Sequence, residues 1–193
     1  MPSSGPRERD PRSGRLNDQE FRVSSFFLAA GTDLITDRLA LRPWSADEIA
    51  TVVGDGRSAH WAEDFPAEGD RVIAGFIGAQ ADPSSEHAHR QIVERDSGLV
   101  VGSISLLWPP SDGRVEFGYG VVPSRRGRGY APEAARALVA YALASPNVHT
   151  VYADVELANP ASVRVLEKAG LERRSSDDVT ARFRAVTPEP HRA

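Results

Sequence analysis

Apolar and polar positions change their spacing several times along this chain, and each change marks an element. From Leu34, the apolar residues Ile35, Leu39 and Leu41 fall at mostly alternating positions, which predicts a first strand running to about Pro43. Ser45-Ala46-Asp47-Glu48 then has the form of a capping box, in which the serine hydroxyl and the glutamate carboxylate each satisfy an orphan amide at a helix start. A short helix to about Val53 follows. Gly54 and Gly56 break it, and His60 to Pro66 has the character of an irregular loop carrying two aromatics and two carboxylates. A second helix is expected over Asp70 to Gln80, with Val72, Ile73, Phe76 and Ile77 on one face.

Beyond the turn-rich Asp82-Pro83-Ser84-Ser85, strands are expected at His87 to Glu94 and Leu99 to Trp108, joined through Asp96-Ser97-Gly98 as a hairpin. A second turn, Pro109 to Gly113, leads into Val115 to Val122, where residues 115, 117, 119 and 121 are large and apolar and share one face. Glu116, Gly118 and Gly120 lie on the other. Pro132, with Ala134, Leu138, Val139 and Leu143 at helical spacing, predicts a long helix to about Ala144. A strand at Val148 to Leu157, a helix at Ala161 to Ala169 stopped by Gly170, and weak strands at Leu171 to Arg174 and Val179 to Val186 complete the order. The succession βααβββαβαββ is a mixed α/β (α+β) domain. Its expected span is 34–187, between an N-terminal tail, 1–33, and a C-terminal tail, 188–193. The segment 1–20 is rich in Pro, Ser, Gly and charge, and buries too little apolar surface to offset its ordering entropy.

Composition narrows the function classes. At 193 residues the chain has room for one domain with a sizeable core. The net charge of -4 argues against a generic nucleic-acid binder. No apolar run approaches the roughly 20 residues of a membrane span. The stretch 23–30 follows several arginines but is interrupted by two serines, which makes a poor secretory core. A cytoplasmic protein with no membrane and no nucleic-acid partner is expected. With no cysteine, disulfides, thiolate metal sites and a thiol nucleophile are excluded. His87, His89 and His149 lack a metal-ligand grouping, so no metal is expected.

The chemistry concentrates at Arg125-Arg126-Gly127-Arg128-Gly129-Tyr130-Ala131, between a strand end and a helix start. Free amides and the positive end of the helix dipole converge there on an anion. The glycines let the main chain approach oxygens closely, and Arg126 and Arg128 can add charge-assisted hydrogen bonds. The same spacing also suits a tight turn with solvated arginines. Neither GxGxxG nor GxxxxGK[ST] is present.

Arg126-Gly127-Arg128-Gly129-Tyr130-Ala131 resembles the Q/R-x-x-G-x-G/A signature of the GNAT acetyltransferase superfamily, in its expected place between a strand and a long helix. The run Asn159 to Leu171 is similar to that superfamily's N-x-x-S-x-x-x-L-E-K-x-G-F element, with Leu171 in place of the usual Phe. Together with Glu116-Phe117-Gly118-Tyr119, the pattern is most similar to the branch of RimJ/RimL-type N-terminal acetyltransferases of ribosomal proteins. The resemblance covers about Leu34 to Arg174. It implies a mostly antiparallel sheet of about six to seven strands flanked by about four helices, acetyl-CoA as co-substrate, and an amine acceptor.

By the same resemblance, the strand ending at Val121-Val122 diverges from the next strand and receives the pantetheine arm as a missing strand would be received. Residues Arg126 to Ala131 then hold the pyrophosphate. Asn159 is expected near the pantetheine, and equally as the N-cap of the following helix with Pro160 at N1. Glu116 is the candidate proton acceptor for the amine, against a plain solvent-facing glutamate. Members often carry a tyrosine acid directly before the E-K pair. Leu166 stands there, leaving Ser162 as the proton-donor candidate, with a capping role as the alternative. The resemblance also makes the loop and helices after the first strand one wall of the acceptor pocket, where Trp61, Glu63, Asp64, Phe65 and Asp70 would suit a cationic amine. The alternative is a loop whose aromatics cap the core and whose acids face water. The expected activity is direct acetyl transfer to a primary amine, such as a protein N-terminus, by a monomer or homodimer. A small-amine or antibiotic-modifying acetyltransferase and a non-catalytic coenzyme sensor are the alternatives.

Overall fold

The structure is a computed structural model that describes residues 32–79 and 88–186. The C-terminal tail, the stretch 23–30 and all but the last two residues of the N-terminal tail lie outside the described residues, as do Gln80 and His87 at two expected element ends.

The first expected strand is two strands, β1 (Leu34–Ile35) and β2 (Leu39–Pro43), paired antiparallel with Leu34 opposite Leu41. Between them the chain reverses: Thr36 N donates to Leu39 O at 2.9 Å, and Thr36 Oγ1 accepts from Leu39 N at 3.0 Å. Thr36-Asp37-Arg38 interrupts the apolar spacing here, and Leu39 and Leu41 resume it in step with Ile35, which masks the reversal. Helix α1 (Ala46–Val53) starts at the capping box, where Ser45 Oγ accepts from Glu48 N and Glu48 Oε2 accepts from Ser45 N. Helix α2 (Glu68–Ala79) is followed by β3 (His89–Glu94), β4 (Val100–Ser111) and β5 (Arg114–Val121). Then come α3 (Tyr130–Leu143), β6 (Thr150–Glu156), α4 (Pro160–Lys168), β7 (Glu172–Ser176) and β8 (Thr180–Val186).

Among the described residues, eight strands form one sheet in the order β1-β2-β3-β4-β5-β6-β8-β7. Splitting the first strand carries the count past the six or seven expected. Every adjacent pair is antiparallel except β5 and β6, which run parallel because α3 connects them as a crossover.

The sheet has two unlike faces. On one, Leu39, Leu41, Ile92, Ile104, Leu106, Val115 and Phe117 are buried with Ala134, Ala135 and Leu138 of α3. The alanines let the helix approach closely, and burying a side chain such as Leu138 contributes roughly 1.5–3 kcal/mol. Arg90 marks the same face, its guanidinium 5.0 Å from the Tyr141 ring of α3. The opposite face is polar where α2 covers it. Ser103 of β4 donates to the Asp70 carboxylate of α2, and His89 of β3 meets Phe76 edge-on at 5.8 Å. Both His89 nitrogens, Ser105 Oγ and Gln91 Nε2 are buried without a partner among the described residues. No helix among the described residues is long and apolar enough to cross a membrane.

Candidate functional site

The parallel pair β5–β6 is where the sheet opens. Its register is limited to Arg114↔Thr150, Val115↔Val151 and Glu116↔Tyr152. Past Glu116, β5 stays with β4 as far as Val121, while β6 stays with β8 as far as Glu156. The wedge between them holds a cavity of about 210 Å³. Phe117, Gly118 and Tyr119 form one wall, residues 153–156 the other, and Asn159, Ser162 and Leu166 of α4 close it. Crevices at the carboxyl ends of parallel strands are where α/β sheets take ligands. Val122 N donates to Val101 O at 2.9 Å, towards β4. Successive amides along a strand point to opposite edges, so those of Val121 and Tyr119 face the wedge. This corrects the expectation for Val122, whose amide is already paired within the sheet.

At the open end of the wedge the chain makes a short 3-10 turn, Pro123–Arg125, and then the glycine turn. Gly127 and Gly129 have φ of 76° and 80°, left-handed values that a residue with a Cβ adopts only at a cost, and Gly129 is the N-cap of α3. The amides of residues 127–131 take no partner among the described residues. The carbonyls, by contrast, are held: Arg38 Nη1 donates to Arg128 O at 2.8 Å and Nη2 to Gly129 O at 3.4 Å. Glu133, in the first turn of α3, fixes Arg38 through Nε at 2.8 Å and also accepts from Arg38 N and Thr36 Oγ1. Burial pushes the Glu133 carboxyl up, but these bonds outweigh it and leave its pKa below the ordinary value. Glu94 lies beneath the same turn. It accepts from Ser97 and from the Tyr130 phenol, and its carboxylate sits 3.6 Å from Arg125 Nε and 3.7 Å from Arg128 Nη1. Those hydrogen bonds lower its pKa and raise that of Tyr130. The turn is therefore braced from behind; Arg126 and Arg128 are exposed, Arg126 donating through Nε to Val121 O at 2.9 Å and Arg128 lying within reach of Glu94.

Sequence reasoning missed Arg38, Glu94 and Glu133. Glu133 alone had a legible signal, a carboxylate at the positive end of a helix. The other two lie on strand ends that only the fold brings to the turn.

Glu116 stands at the vertex of the wedge, half-buried, on the sheet face away from α3 and α4. Tyr152 is its register partner on β6. Burial, then the Glu116 charge, raises the Tyr152 phenol above its ordinary pKa. The Arg182 guanidinium covers the Tyr152 ring at 4.6 Å and pairs bidentately with Asp154 at 2.7 and 2.6 Å. Hydrogen bonding to Arg182 lowers the Asp154 pKa.

Asn159 caps α4, its Oδ1 accepting from Ser162 N at 3.1 Å, with Pro160 at the first helical position. Asn159 and Ser162 both border the cavity, and so does Leu166, which is 1% exposed. At the expected acceptor wall the aromatics follow the core-capping alternative, and Asp70 is buried, accepting from Ser103. Trp61 and Phe65 are core residues, in edge contact at 5.3 Å, with Phe65 also against Trp44. Their rings have no free face for an acceptor, because the loop folds them inward over α1 and β4. Asp64 accepts from Ser124 N at 2.8 Å and Ser124 Oγ at 2.7 Å, tying the loop to the 3-10 turn. Glu63 alone of the four is exposed. Among the described residues no three His, Asp or Glu side chains gather as a metal site would require.

Comparison with known proteins agrees with this layout. Residues 38–172 match the model of the acetyltransferase (GNAT) domain. The uncharacterized N-acetyltransferase YjdG of Bacillus subtilis is 36% identical over 80 residues, 41% of this chain. The match spans about half, 48%, of that relative's length. Among solved structures, the GNAT-family acetyltransferase from Bacillus anthracis superposes with a TM-score of 0.59 at 19% identity, covering 80% of this chain and 98% of its own. A spermidine N-acetyltransferase chimera from Vibrio cholerae and hSSAT gives a TM-score of 0.57 at 16% identity, covering 77% and 95%. At these identities the two structures speak to the fold.

Proposed function

The chain belongs to the GNAT acetyltransferase family, and from that premise we propose that it transfers an acetyl group from acetyl-CoA to a primary amine by direct attack. The observation that carries this reading is the wedge between β5 and β6, with an anion-binding turn at its mouth. The residues present fit the coenzyme. A slender amide-bearing arm can align with the outward amides of Val121 and Tyr119, as an added strand would. Gly118 and Gly120 would meet nothing within 4 Å of a Cβ, so that side of β5 is open. The pyrophosphate belongs at residues Arg126, Gly127, Arg128, Gly129, Tyr130 and Ala131, with Asn159 beside the arm. When bound, the coenzyme supplies an activated acyl group and a thiolate leaving group.

Glu116 accepts the proton that the amine loses, because it stands at the vertex, where the two strands part and acyl carbon and nitrogen must meet. Ser162 contributes a hydroxyl and a carbonyl to the far wall. Glu63 and the carboxylates Glu116, Asp154 and Glu156 favour a cationic acceptor. The Glu116-Phe117-Gly118-Tyr119 pattern makes a protein N-terminus the first acceptor to test, in a cytoplasmic setting. A small polyamine is the second, favoured by the likeness to the spermidine N-acetyltransferase fold.

Titration calorimetry with acetyl-CoA tests the premise: wild type binds in the micromolar range, and Arg126→Ala/Arg128→Ala binds at least tenfold more weakly, since charge-assisted contacts contribute roughly 1.5–3 kcal/mol each. Failure of the wild type to bind below millimolar would overturn it. Free-thiol release with N-terminal peptides against polyamines then separates the two acceptors.

A further inference from the structure

Acyl transfer leaves a thiolate that must be protonated or stabilised, and few groups in the wedge can do it. The cavity is lined by two hydroxyl-bearing side chains, Tyr119 and Ser162, beside the carboxylates Asp154 and Glu156 of β6 and the inert Leu166. Asp154 is ionised through its pair with Arg182, and the residues of α4 that border the cavity carry no titratable group. An aliphatic hydroxyl is a far weaker acid than a phenol, whose ordinary pKa is about 10. Tyr119 also has the right placement. Its ring stacks on Phe117 at 6.1 Å, and its hydroxyl reaches across the wedge to donate to Ser162 O at 3.3 Å.

Resting on the acetyl-transfer reading above, we infer that Tyr119 is the proton donor to the departing thiolate. Side chains alternate along a strand, so Tyr119 and Glu116, three residues apart, project from opposite faces of β5. The base thus serves the face from which the amine comes, and the phenol serves the face towards which sulfur leaves. The acceptor nitrogen bonds to the acyl carbon and loses a proton to Glu116. The carbon–sulfur bond breaks with its electron pair going to sulfur, and sulfur takes the proton of Tyr119 Oη. Glu116 and the phenolate are reset by solvent exchange, so the net change is amine plus thioester to amide plus thiol. Burial holds the phenol above its ordinary pKa, with the bond to Ser162 offsetting only part of that rise, so Tyr119 enters the cycle protonated. Ser162, the proton-donor candidate read from the sequence, then positions the phenol through its backbone carbonyl, and Tyr119 takes the acid role that Leu166 cannot fill.

The test needs no acceptor. CoA and desulfo-CoA, which lacks only the sulfur, are titrated by calorimetry into wild type, Tyr119→Phe and Ser162→Ala at pH 9. There the thiol is partly ionised while Tyr119, held above the ordinary phenol value by burial, keeps its proton. Wild type should prefer CoA, Tyr119→Phe should lose that preference by about tenfold or more, and Ser162→Ala should keep it. The ratio of the two affinities cancels any general damage to the site. A preference that survives in Tyr119→Phe, that disappears in Ser162→Ala alone, or that is absent from wild type overturns the assignment while leaving coenzyme binding intact. Wild type binding neither ligand would instead remove the acetyl-transfer reading, and this assignment with it.

Discussion

At the scale of single residues, the site divides into groups that face a ligand and groups that hold them. Glu116 is the sharpest test of the first kind. Glu116→Gln keeps the volume and the register with Tyr152 but removes the carboxylate proposed as proton acceptor. Acetyl transfer should fall by about 10²-fold or more while acetyl-CoA affinity stays within about twofold, read by thiol release and calorimetry. Unchanged turnover would take Glu116 out of the mechanism. That Glu116, Asn159, Ser162 and the glycine turn gather around the opening between β5 and β6 was legible from their types and spacings in the sequence. Arg38 and Glu94 were not. Each lies more than thirty positions from the turn it braces, and nothing in a polar residue at a strand end says which loop will fold against it. Trp61 and Phe65 show the converse: an aromatic beside carboxylates in a loop has the same sequence signature whether it lines a pocket or fills the core.

At the scale of elements, helix boundaries followed from capping chemistry, as with Ser45 and Glu48 at α1, Asn159 at α4, and Gly170, whose φ of 87° ends that helix. The pair β1 and β2 was read as one strand because Ile35, Leu39 and Leu41 keep an alternating phase across the polar turn Thr36-Asp37-Arg38. The strand that matters most for function is β5. Gly118 breaks an otherwise strong strand pattern, and the space above it explains why. A Cβ there meets nothing within 4 Å, whereas one at Gly102 would meet Gly120 O of the neighbouring strand. Gly118→Val should therefore leave the urea midpoint of unfolding unchanged or raised, within about 1 kcal/mol. It should also cut acetyl transfer at least tenfold by filling the open side of the wedge. A loss of stability with transfer intact would mean that the glycine serves the strand and not the ligand.

At the scale of the molecule, two sets of titratable groups set the response to pH. His89 is buried with both nitrogens unpartnered among the described residues, and burial lowers its pKa from 6.5. The unfolded chain then binds a proton that the folded one refuses, so stability is full above about 6.5 and declines as pH falls below it. Glu94, Glu133 and Asp154 have lowered pKa values, so their contribution is present above the ordinary carboxylate values of 4.5 and 3.8 and is lost on further acidification. Asp70, raised by burial, works in the opposite sense and softens that second fall. Thermal melting against pH should show two declines, the first with a slope of up to about 1.4 kcal/mol per pH unit. His89→Leu should abolish the first alone; a first decline that persists would assign it elsewhere.

The short contact between β5 and β6 has one more consequence. Only three residue pairs join the half of the sheet that begins the chain to the half that ends it, so the molecule resembles a jacket fastened at the bottom button. A ligand that runs up the opening supplies the missing fasteners. Its occupancy then governs rigidity as well as reactivity, because a ligand at a hundred times its Kd adds about 2.7 kcal/mol to the folded state. On the proposed reading, saturating acetyl-CoA should raise the melting temperature accordingly, a shift that differential scanning calorimetry would register.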